Sequence, residues 1–424
     1  MERNCTDYQT FVEILRQELV PAMGCTEPIA IAYCAARARA ALGAVPDYIL
    51  VEASGNIIKN VKSVIVPNTN GRRGIQAAAA IGVIAGDENR GLEVISQAAK
   101  EDVDRLGDYM GQTQIEVQAS ETEYILDICV IVKKDGHSAK VRAVNEHTNI
   151  ILVEKDGQTL ESKEVGEGQK NTLDYGALSV EKIYDFAVTA CLEDVQPILD
   201  RQISYNTAIS QEGLRSDYGA NIGKVLMRAY GGDIRIRAKA AAAAGSDARM
   251  NGCEMPVVIC SGSGNQGMTA SLPVIEYAKE LKCPQERLYR ALLISNLVTI
   301  HQKTGIGRLS AYCGAVSAGA GAGAGIAYLC GGDYEAVIHT VVNALAITSG
   351  IICDGAKSSC AGKIAVAVDS GILGYEMYLQ GQQFYGGDGI ICKGVENTIR
   401  NVGQLGRVGM FETDKEIIRM MTRG

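Results

Sequence analysis

Residues 314–327 read Gly-Ala-Val-Ser-Ala-Gly-Ala-Gly-Ala-Gly-Ala-Gly-Ile-Ala. They lie within an uncharged stretch, 309–332, that is long enough to span a bilayer but contains few Leu, Ile or Val. Side chains this small allow helix backbones to approach closely. We therefore expect a helix packed at short range inside a helical core, together with the alanine-rich segment 238–244, and not a membrane span.

A different pattern precedes this helical region. Short β-branched segments that alternate or run apolar predict a β-meander, with Lys134-Asp135-Gly136 as one of its turns. The expected fold class is therefore α+β, a large Gly/Ala-rich helical body joined to a small, mostly antiparallel β-sheet subdomain. The predicted strands are 47–53, 61–66, 114–118, 124–133, 138–145 and 149–155. The predicted units are 1–45 (N-terminal helices of the body), 46–170 (the α+β subdomain) and 171–424 (the helical catalytic domain), with a Gly-rich linker over 166–176.

Composition excludes several classes of function. The chain has 424 residues, 47% of them hydrophobic, and a net charge of −8, which disfavours nucleic-acid binding. The N-terminus shows no secretion signal, and most of the 13 cysteines occur singly in apolar surroundings. Such cysteines are typical of a reducing compartment, so we expect a cytoplasmic protein without membrane association. The Gly/Ala helices are also compatible with a homo-oligomer.

Three cysteines follow or precede signals for helix starts and tight turns: Cys25, Cys313 and Cys353. Three thiolates can hold three irons of a [4Fe–4S] cubane and leave the fourth open as a Lewis acid for a substrate heteroatom. Structural zinc is disfavoured because paired C-x₂₋₄-C ligands are missing. Spacing alone does not choose the trio, since Cys260 also flanks a Gly-rich element and Cys360 can replace Cys353. Any single cysteine is more often simply a packed thiol.

The loop Ser261-Gly262-Ser263-Gly264-Asn265-Gln266-Gly267 is the sharpest candidate for ligand binding. Its glycines allow close backbone approach, and a helix expected to begin near Met268 offers free N–H groups to an anion. The loop matches neither a P-loop nor a dinucleotide-binding fingerprint. A small carboxylate suits it better than a phosphate, although a purely structural turn is the alternative. The predicted hydrogen-bonding side chains are Ser261, Ser263, Asn265 and Gln266.

Charged side chains elsewhere complete the candidate site. Arg72 or Arg73 can clamp a carboxylate bidentately, or can be solvated in a surface turn. His301, Lys303 or Lys357 can act as the base that removes an α-proton. For Lys357 the alternative is an ion pair with Asp354. The histidines at turns of the meander, His137 and His147, are expected to be exposed.

Four ordered motifs together resemble the L-cysteine desulfidase family, which is related to the α part of bacterial iron–sulfur L-serine dehydratases. The motifs are Gly24-Cys25-Thr26-Glu27-Pro28, the 261–267 loop, Leu309-Ser310-Ala311 with Cys313, and Cys353-Asp354-Gly355-Ala356-Lys357-Ser358-Ser359-Cys360. The resemblance implies a [4Fe–4S] enzyme without pyridoxal phosphate that converts L-cysteine to pyruvate, ammonia and hydrogen sulfide. It also implies that Cys25, Cys313 and Cys353 are the cluster ligands.

Other functions remain open at the level of sequence. An iron–sulfur L-serine dehydratase would have the same site, because a hydroxyl and a thiol both bind an open iron. The chain can also be a non-catalytic, redox-sensing subunit, or a metal-free protein that binds amino acids. The expected partner is a small amino acid, L-cysteine or L-serine.

Overall fold

The computed structural model describes residues 1–164 and 173–422. Most of the predicted 166–176 linker therefore lies outside the described residues. The helices are α1 (Thr6–Glu18), α2 (Thr26–Leu42), α3 (Gly55–Val61), α4 (Gly74–Ala85), α5 (Lys100–Gln112), α6 (Val180–Thr189), α7 (Gln196–Arg215), α8 (Ile222–Tyr230), α9 (Ile234–Met250), α10 (Gly264–Glu280), α11 (Gln285–Ile306), α12 (Gly314–Leu329), α13 (Tyr334–Ile347), α14 (Cys360–Leu379), α15 (Val395–Gln404) and α16 (Phe411–Thr422). The strands are β1 (Pro21–Met23), β2 (Tyr48–Ala53), β3 (Gln114–Ala119), β4 (Asp127–Lys134), β5 (His137–Val144), β6 (Ile150–Lys155), β7 (Gln158–Ser162) and β8 (Pro256–Val258).

Six of the strands form one sheet in the order β3-β2-β4-β5-β6-β7. Only the β2–β3 pair is parallel, and the other neighbours are antiparallel. The turn between β4 and β5 has positive φ at both Asp135 and Gly136, as a two-residue hairpin turn requires. The predicted α+β fold with a small, mostly antiparallel sheet is therefore confirmed.

The predicted strand 61–66 is wrong. Residues 55–61 form α3 instead, and the following segment makes only an isolated bridge between Ile65 and Arg73. Ile57 and Val61 lie four residues apart and are both fully buried on one helical face. That burial stabilises a helix that ends inside the predicted strand, and the rest of the segment pairs with residues 72–74, through the Val66 N–H to the Arg72 carbonyl oxygen at 3.0 Å and the Gly74 N–H to that of Val64 at 3.4 Å.

Two hydrophobic cores organise the chain. One is formed by α1 and the helices after residue 178. The other lies between the sheet and the helices α2 and α4. Helix α2 thus packs with the sheet rather than with the larger helical core. The division into three units stays a prediction, because packing of neighbouring cores does not define a folding unit.

The Gly/Ala segment forms helix α12, which packs against α14 with almost no space between the backbones. A Cβ added at Gly319 would lie 2.1 Å from the Ala367 carbonyl oxygen, and one at Gly371 would lie 2.2 Å from the Gly319 oxygen. The predicted close packing is therefore confirmed. Within residues 1–164 and 173–422, no helix has the length and apolar content that crossing a membrane requires.

Candidate functional site

The helices α2, α10, α12 and α14 all begin at one cavity of about 110 Å³. Cys25, Ser263 and Cys313 are the N-cap residues of the first three, and Cys360 is the first residue of α14. Helix N-termini carry partial positive charge and free N–H groups, so this arrangement favours an anionic ligand. The other lining residues include Glu27, Asn60, His147, Arg249, Ser261, Asn265, Gln266, Lys303, Arg308, Tyr312 and Cys353.

A hydrogen bond beside a two-stranded ribbon brings Cys25 to the 261–267 loop. Strand β1 pairs antiparallel with β8, with Met23 opposite Pro256, so the end of β1 lies beside the start of β8. Gly24 follows β1 with φ +68°, where a Cβ would lie 2.4 Å from Pro67. The Thr26 hydroxyl then donates to the Gly262 carbonyl oxygen at 3.1 Å. Thr26 and Gly262, which are 236 positions apart in sequence, thus hold the two segments together at one side of the cavity.

A second pairing places Cys313 beside Cys353. The segments that precede α12 and α14 form an antiparallel bridge at Tyr312 and Ile352. Hydrogen bonding between the two thiols lowers the pKa of Cys353 and raises that of Cys313. The ammonium groups of Lys59 and Lys363 also lower the pKa of Cys353. Cys353 therefore has the surroundings that favour a thiolate.

Cys360 lies on the side of the cavity near Cys25. The two cysteines belong to one small apolar cluster together with Val64, Met250 and Ala356. Burial raises the pKa of both thiols. The structure thus brings four cysteines to the cavity, and whether Cys360 replaces Cys353 as a ligand stays an open prediction.

The 261–267 loop is held in a conformation that its glycines and one serine make possible. Ser261 has φ +50° and Gly262 has φ +80°, both in the left-handed region. Gly267 instead provides space, since a Cβ there would lie 2.1 Å from the Val258 carbonyl oxygen. The helix begins at Gly264, earlier than the predicted start near Met268.

Several buried polar atoms at this cavity have no hydrogen-bond partner among the described residues. They are Ser261 Oγ, Gln266 Oε1, His147 Nε2 and Tyr312 Oη, and each residue is less than a tenth exposed. A buried polar atom without a partner costs about 1–3 kcal/mol. Such a concentration in one cavity indicates a polar ligand that supplies the missing hydrogen bonds.

Arg249 is buried in the same cavity, with 2% of its surface exposed. Its Nε donates to the Gly24 carbonyl oxygen at 2.9 Å and its Nη1 to Asn265 Oδ1 at 3.2 Å. It forms no ion pair within the part of the chain that the structure describes. A buried cation without a counter-charge is unfavourable, so an anion is the expected occupant beside it.

Lys303 is 5% exposed and lines the cavity from α11. Burial lowers the pKa of its ammonium group from 10.5 to about 8. An amine with such a pKa is partly neutral near pH 8 and can accept a proton.

Comparison with known proteins agrees with this architecture. A family model for the serine dehydratase alpha chain matches residues 89–419. The chain belongs to the serine dehydratase alpha chain family. A UPF0597 protein from Desulfitobacterium hafniense strain Y51 is 58% identical over 422 residues, which cover 99% of this chain and 98% of that protein. A UPF0597 protein from Lachnoclostridium phytofermentans is 53% identical, over 98% of this chain and 99% of that protein. One from Treponema denticola is 46% identical over the whole length of both chains, 100% of each.

The cavity of this family member has the donor chemistry that a [4Fe–4S] cluster needs, because at least three thiols line it. Among the described residues, no three His, Cys, Asp or Glu side chains converge tightly enough to hold a single metal ion. A cubane has a different requirement, since each of its cysteines ligates a different iron. The residues present therefore fit such a cluster by donor type.

Several predicted site residues lie away from the cavity. Arg72 Nη1 donates to the Thr69 carbonyl oxygen at 2.9 Å, and Arg73 Nη1 donates to that of Ser63 at 3.0 Å. Neither lines the cavity, and Arg249 and Arg308 do so instead. The predicted carboxylate role of Arg72 and Arg73 stays untested.

Two of the three candidate bases are also engaged elsewhere. His301 Nε2 lies 2.7 Å from Glu396 Oε2, and the Lys357 ammonium group forms an ion pair with Asp354. The alternative that paired Lys357 with Asp354 is thus confirmed. Neither side chain lines the cavity, whereas Lys303 does.

Sequence reasoning missed Arg249 and His147. His147 was expected to be exposed, but it is 7% exposed and faces the cavity, because the β5–β6 connection folds against the loop at Gly262. Burial lowers its pKa. For Arg249 a signal existed, since a charged residue follows closely on the alanine-rich run 238–244, which is typical of a buried helix segment.

Proposed function

We propose that the protein is an L-cysteine desulfidase, which eliminates hydrogen sulfide from L-cysteine and gives pyruvate and ammonia. Membership of the serine dehydratase alpha chain family supports a lyase that acts on a small amino acid. The observation that carries the proposal is a single cavity lined by four cysteines, a buried lysine and a buried arginine. A [4Fe–4S] cluster bound by Cys25, Cys313 and Cys353 would supply a Lewis acid for the leaving group.

The substrate carboxylate is assigned to the loop and Arg249. Arg249 has donors beyond the two it uses on Gly24 and Asn265, because a guanidinium group carries five N–H bonds. Ser261 Oγ provides an additional buried hydroxyl without a partner. Positioning of this kind is the larger part of what such a site supplies.

Lys303 is assigned as the base that takes the α-proton. Loss of that proton and of the sulfide from Cβ leaves aminoacrylate, which tautomerises to the imine. Water then releases ammonia and gives pyruvate, so one water is consumed for each ammonia formed. Lys303 is suited to the step because burial holds its pKa near 8.

L-serine is the second candidate substrate, and the family model favours it, since its description names serine dehydratase. The same residues would act, with water in place of hydrogen sulfide as the leaving group. The four cysteines do not distinguish the two leaving groups, because an iron site accepts both a thiol and a hydroxyl.

Paired assays on protein purified without oxygen test the proposal. L-cysteine is tested for sulfide and pyruvate, and L-serine for pyruvate, on samples whose iron and acid-labile sulfide are counted. We expect sulfide from L-cysteine at a kcat/KM above that for L-serine. The reverse ranking makes the protein a serine dehydratase. Iron-containing protein without product from either amino acid favours the redox-sensing subunit.

Two cysteine variants, one a test and one its control, accompany the assay. Cys313→Ala should lose iron and turnover together. Cys34→Ala should retain both, because Cys34 is fully buried in the core beneath the sheet and does not line the cavity. Turnover by iron-free wild-type protein would contradict the proposal.

A further inference from the structure

A second and larger chamber, of about 590 Å³, adjoins the cysteine-lined cavity. The two share Ser261, Lys303, Arg308 and Leu309 as lining residues, so these four residues form the boundary between them. The chamber is bounded on one side by residues 123–126, 145 and 146 of the sheet region, and on the other by the helical body. It therefore lies next to the inner cavity, between the sheet region and the helical body.

Charges in the chamber are balanced, although the whole chain carries a net charge of −8. Its acidic residues are Glu18, Glu123 and Glu146, and its basic residues are Lys303, Arg308 and Arg407. The inner cavity differs, since Glu27 is the only carboxylate among its described lining residues, beside Lys303, Arg249 and Arg308. A balanced chamber favours a ligand with one charge of each sign over a ligand with a net charge.

Arg308 lies at the junction of the two spaces. Its Nη2 is 3.1 Å from Glu18 Oε1 and 4.0 Å from Glu146 Oε1. The Glu18 carboxylate is 5% exposed and also accepts a hydrogen bond from the Tyr175 hydroxyl at 2.6 Å. Arg308 Nη1 also donates to Glu18 Oε2 at 3.5 Å, but 36% of the Arg308 side chain is exposed, and three of its five N–H bonds are left for a ligand. A fixed carboxylate and a partly free guanidinium group therefore stand side by side.

We propose that this chamber is a selective entrance for zwitterionic α-amino acids, in which Arg308 binds the carboxylate and the Glu18 and Glu146 carboxylates bind the ammonium group. The ligand replaces the long Arg308–Glu146 contact and keeps both of its charges paired during entry. Leu309 and Ile300 provide apolar surface for a short side chain. The inference names the specificity of the proposed lyase site and rests on that function.

Binding of L-alanine tests the entrance apart from catalysis, because L-alanine has no leaving group at Cβ. Its affinity for the full-length chain is measured by calorimetry, beside propionate (no ammonium group), ethylamine (no carboxylate) and L-aspartate (an additional carboxylate). We expect L-alanine to bind about tenfold or more tightly than each of the others, since each lacks one charge-assisted contact or adds a repulsive one.

The variants Arg308→Gln and Glu18→Gln should each weaken L-alanine binding about tenfold or more. Arg308→Lys should restore part of the loss, since it keeps the charge but not the fork geometry. In turnover assays these variants should raise KM with a smaller change in kcat. The matched control is Arg37→Gln, which removes another Arg–Glu pair, with Glu161 at 2.6 Å, outside both spaces.

Equal affinity of the chain for L-alanine and propionate overturns the inference. So does an Arg308→Gln variant that binds L-alanine as tightly as the wild type, provided that its melting temperature is unchanged. The outcomes for the two proposals remain distinguishable. Selective L-alanine binding by a chain that turns over neither cysteine nor serine refutes the lyase and keeps the entrance. Turnover with an unchanged KM in Arg308→Gln refutes the entrance and keeps the lyase.

Discussion

Cys313 and Cys353 are held side by side by the backbone. The Cys353 N–H donates to the Ala311 carbonyl oxygen at 2.7 Å, and the Cys313 N–H donates to that of Ile351 at 2.9 Å. These two bonds do not depend on either thiol. Substitution of one cysteine should therefore remove its sulfur without moving the other, so effects on metal binding can be assigned to single residues.

Substitution of the proposed ligands gives the first prediction. Cys25→Ala, Cys313→Ala and Cys353→Ala should each lose most of the iron and the brown colour of protein prepared without oxygen, since three sulfurs are needed to hold the cluster. Cys360→Ala should keep both. Iron and acid-labile sulfide are counted beside the visible spectrum. If Cys360→Ala loses iron while Cys353→Ala retains it, then Cys360 is the ligand in place of Cys353.

Removal of the proposed base gives the second prediction. Lys303→Met should lower kcat about 100-fold or more, the usual contribution of a positioned base. The wild-type rate should rise as pH increases through about 8, because the amine accepts a proton only after its ammonium form has lost one. Lys303→Arg should not show this rise, since a guanidinium group stays charged.

The control for that experiment is Lys357→Met, which removes an ammonium group paired with Asp354 outside the cavity. We expect its pH profile to match that of the wild type. If Lys357→Met loses turnover while Lys303→Met keeps it, the base is Lys357, one of the three candidates that the sequence left open.

The close contact of α12 and α14 gives a prediction about stability. Gly371→Ala places a methyl group 2.2 Å from the Gly319 carbonyl oxygen, so the helices must separate, at a cost of about 1–3 kcal/mol. Gly362→Ala is the control in the same helix, because nothing lies within 4 Å of its added Cβ. It should leave stability unchanged or raise it by up to about 1 kcal/mol, through helix propensity. Denaturant unfolding measures both, and equal effects would contradict the packing described.

Asp247 gives a prediction about pH. It is fully buried, and burial raises its pKa from 3.8 to about 6. Between those values the folded chain binds more protons than the unfolded chain, so the free energy of unfolding contributed by this group falls as pH rises. Relative to Asp247→Asn, the free energy of unfolding of the wild type should fall by about 2 kcal/mol between pH 4 and 6.5. Asp104→Asn, at an exposed position of α5, is the control, and a pH-independent difference between wild type and Asp247→Asn would refute the assignment.

The sequence predicted the meander and the Gly/Ala helix, because each depends on local pattern. That Cys25, Cys313 and Cys353 lie at one site was expected from the family resemblance of their motifs, since spacing alone did not select them. It did not predict that Arg249 and His147 face the cavity, since their positions depend on how α9 and the β5–β6 connection pack against the 261–267 loop. The sequence could not select one of the three candidate bases for the same reason. His301 and Lys303 are two residues apart on α11, and the turn of that helix places only Lys303 at the cavity.

The glycine contact between α12 and α14 has a consequence for protein engineering. Gly319 lies six residues into the helix that Cys313 caps, about 9 Å along its axis. The carbonyl and methyl groups of Ala367 limit the approach of the two helices there, and α14 begins at Cys360, so the width of the helix pair affects the spacing between Cys313 and Cys360. A search for variants with altered iron retention should therefore sample these interior glycines, although no ligand reaches them.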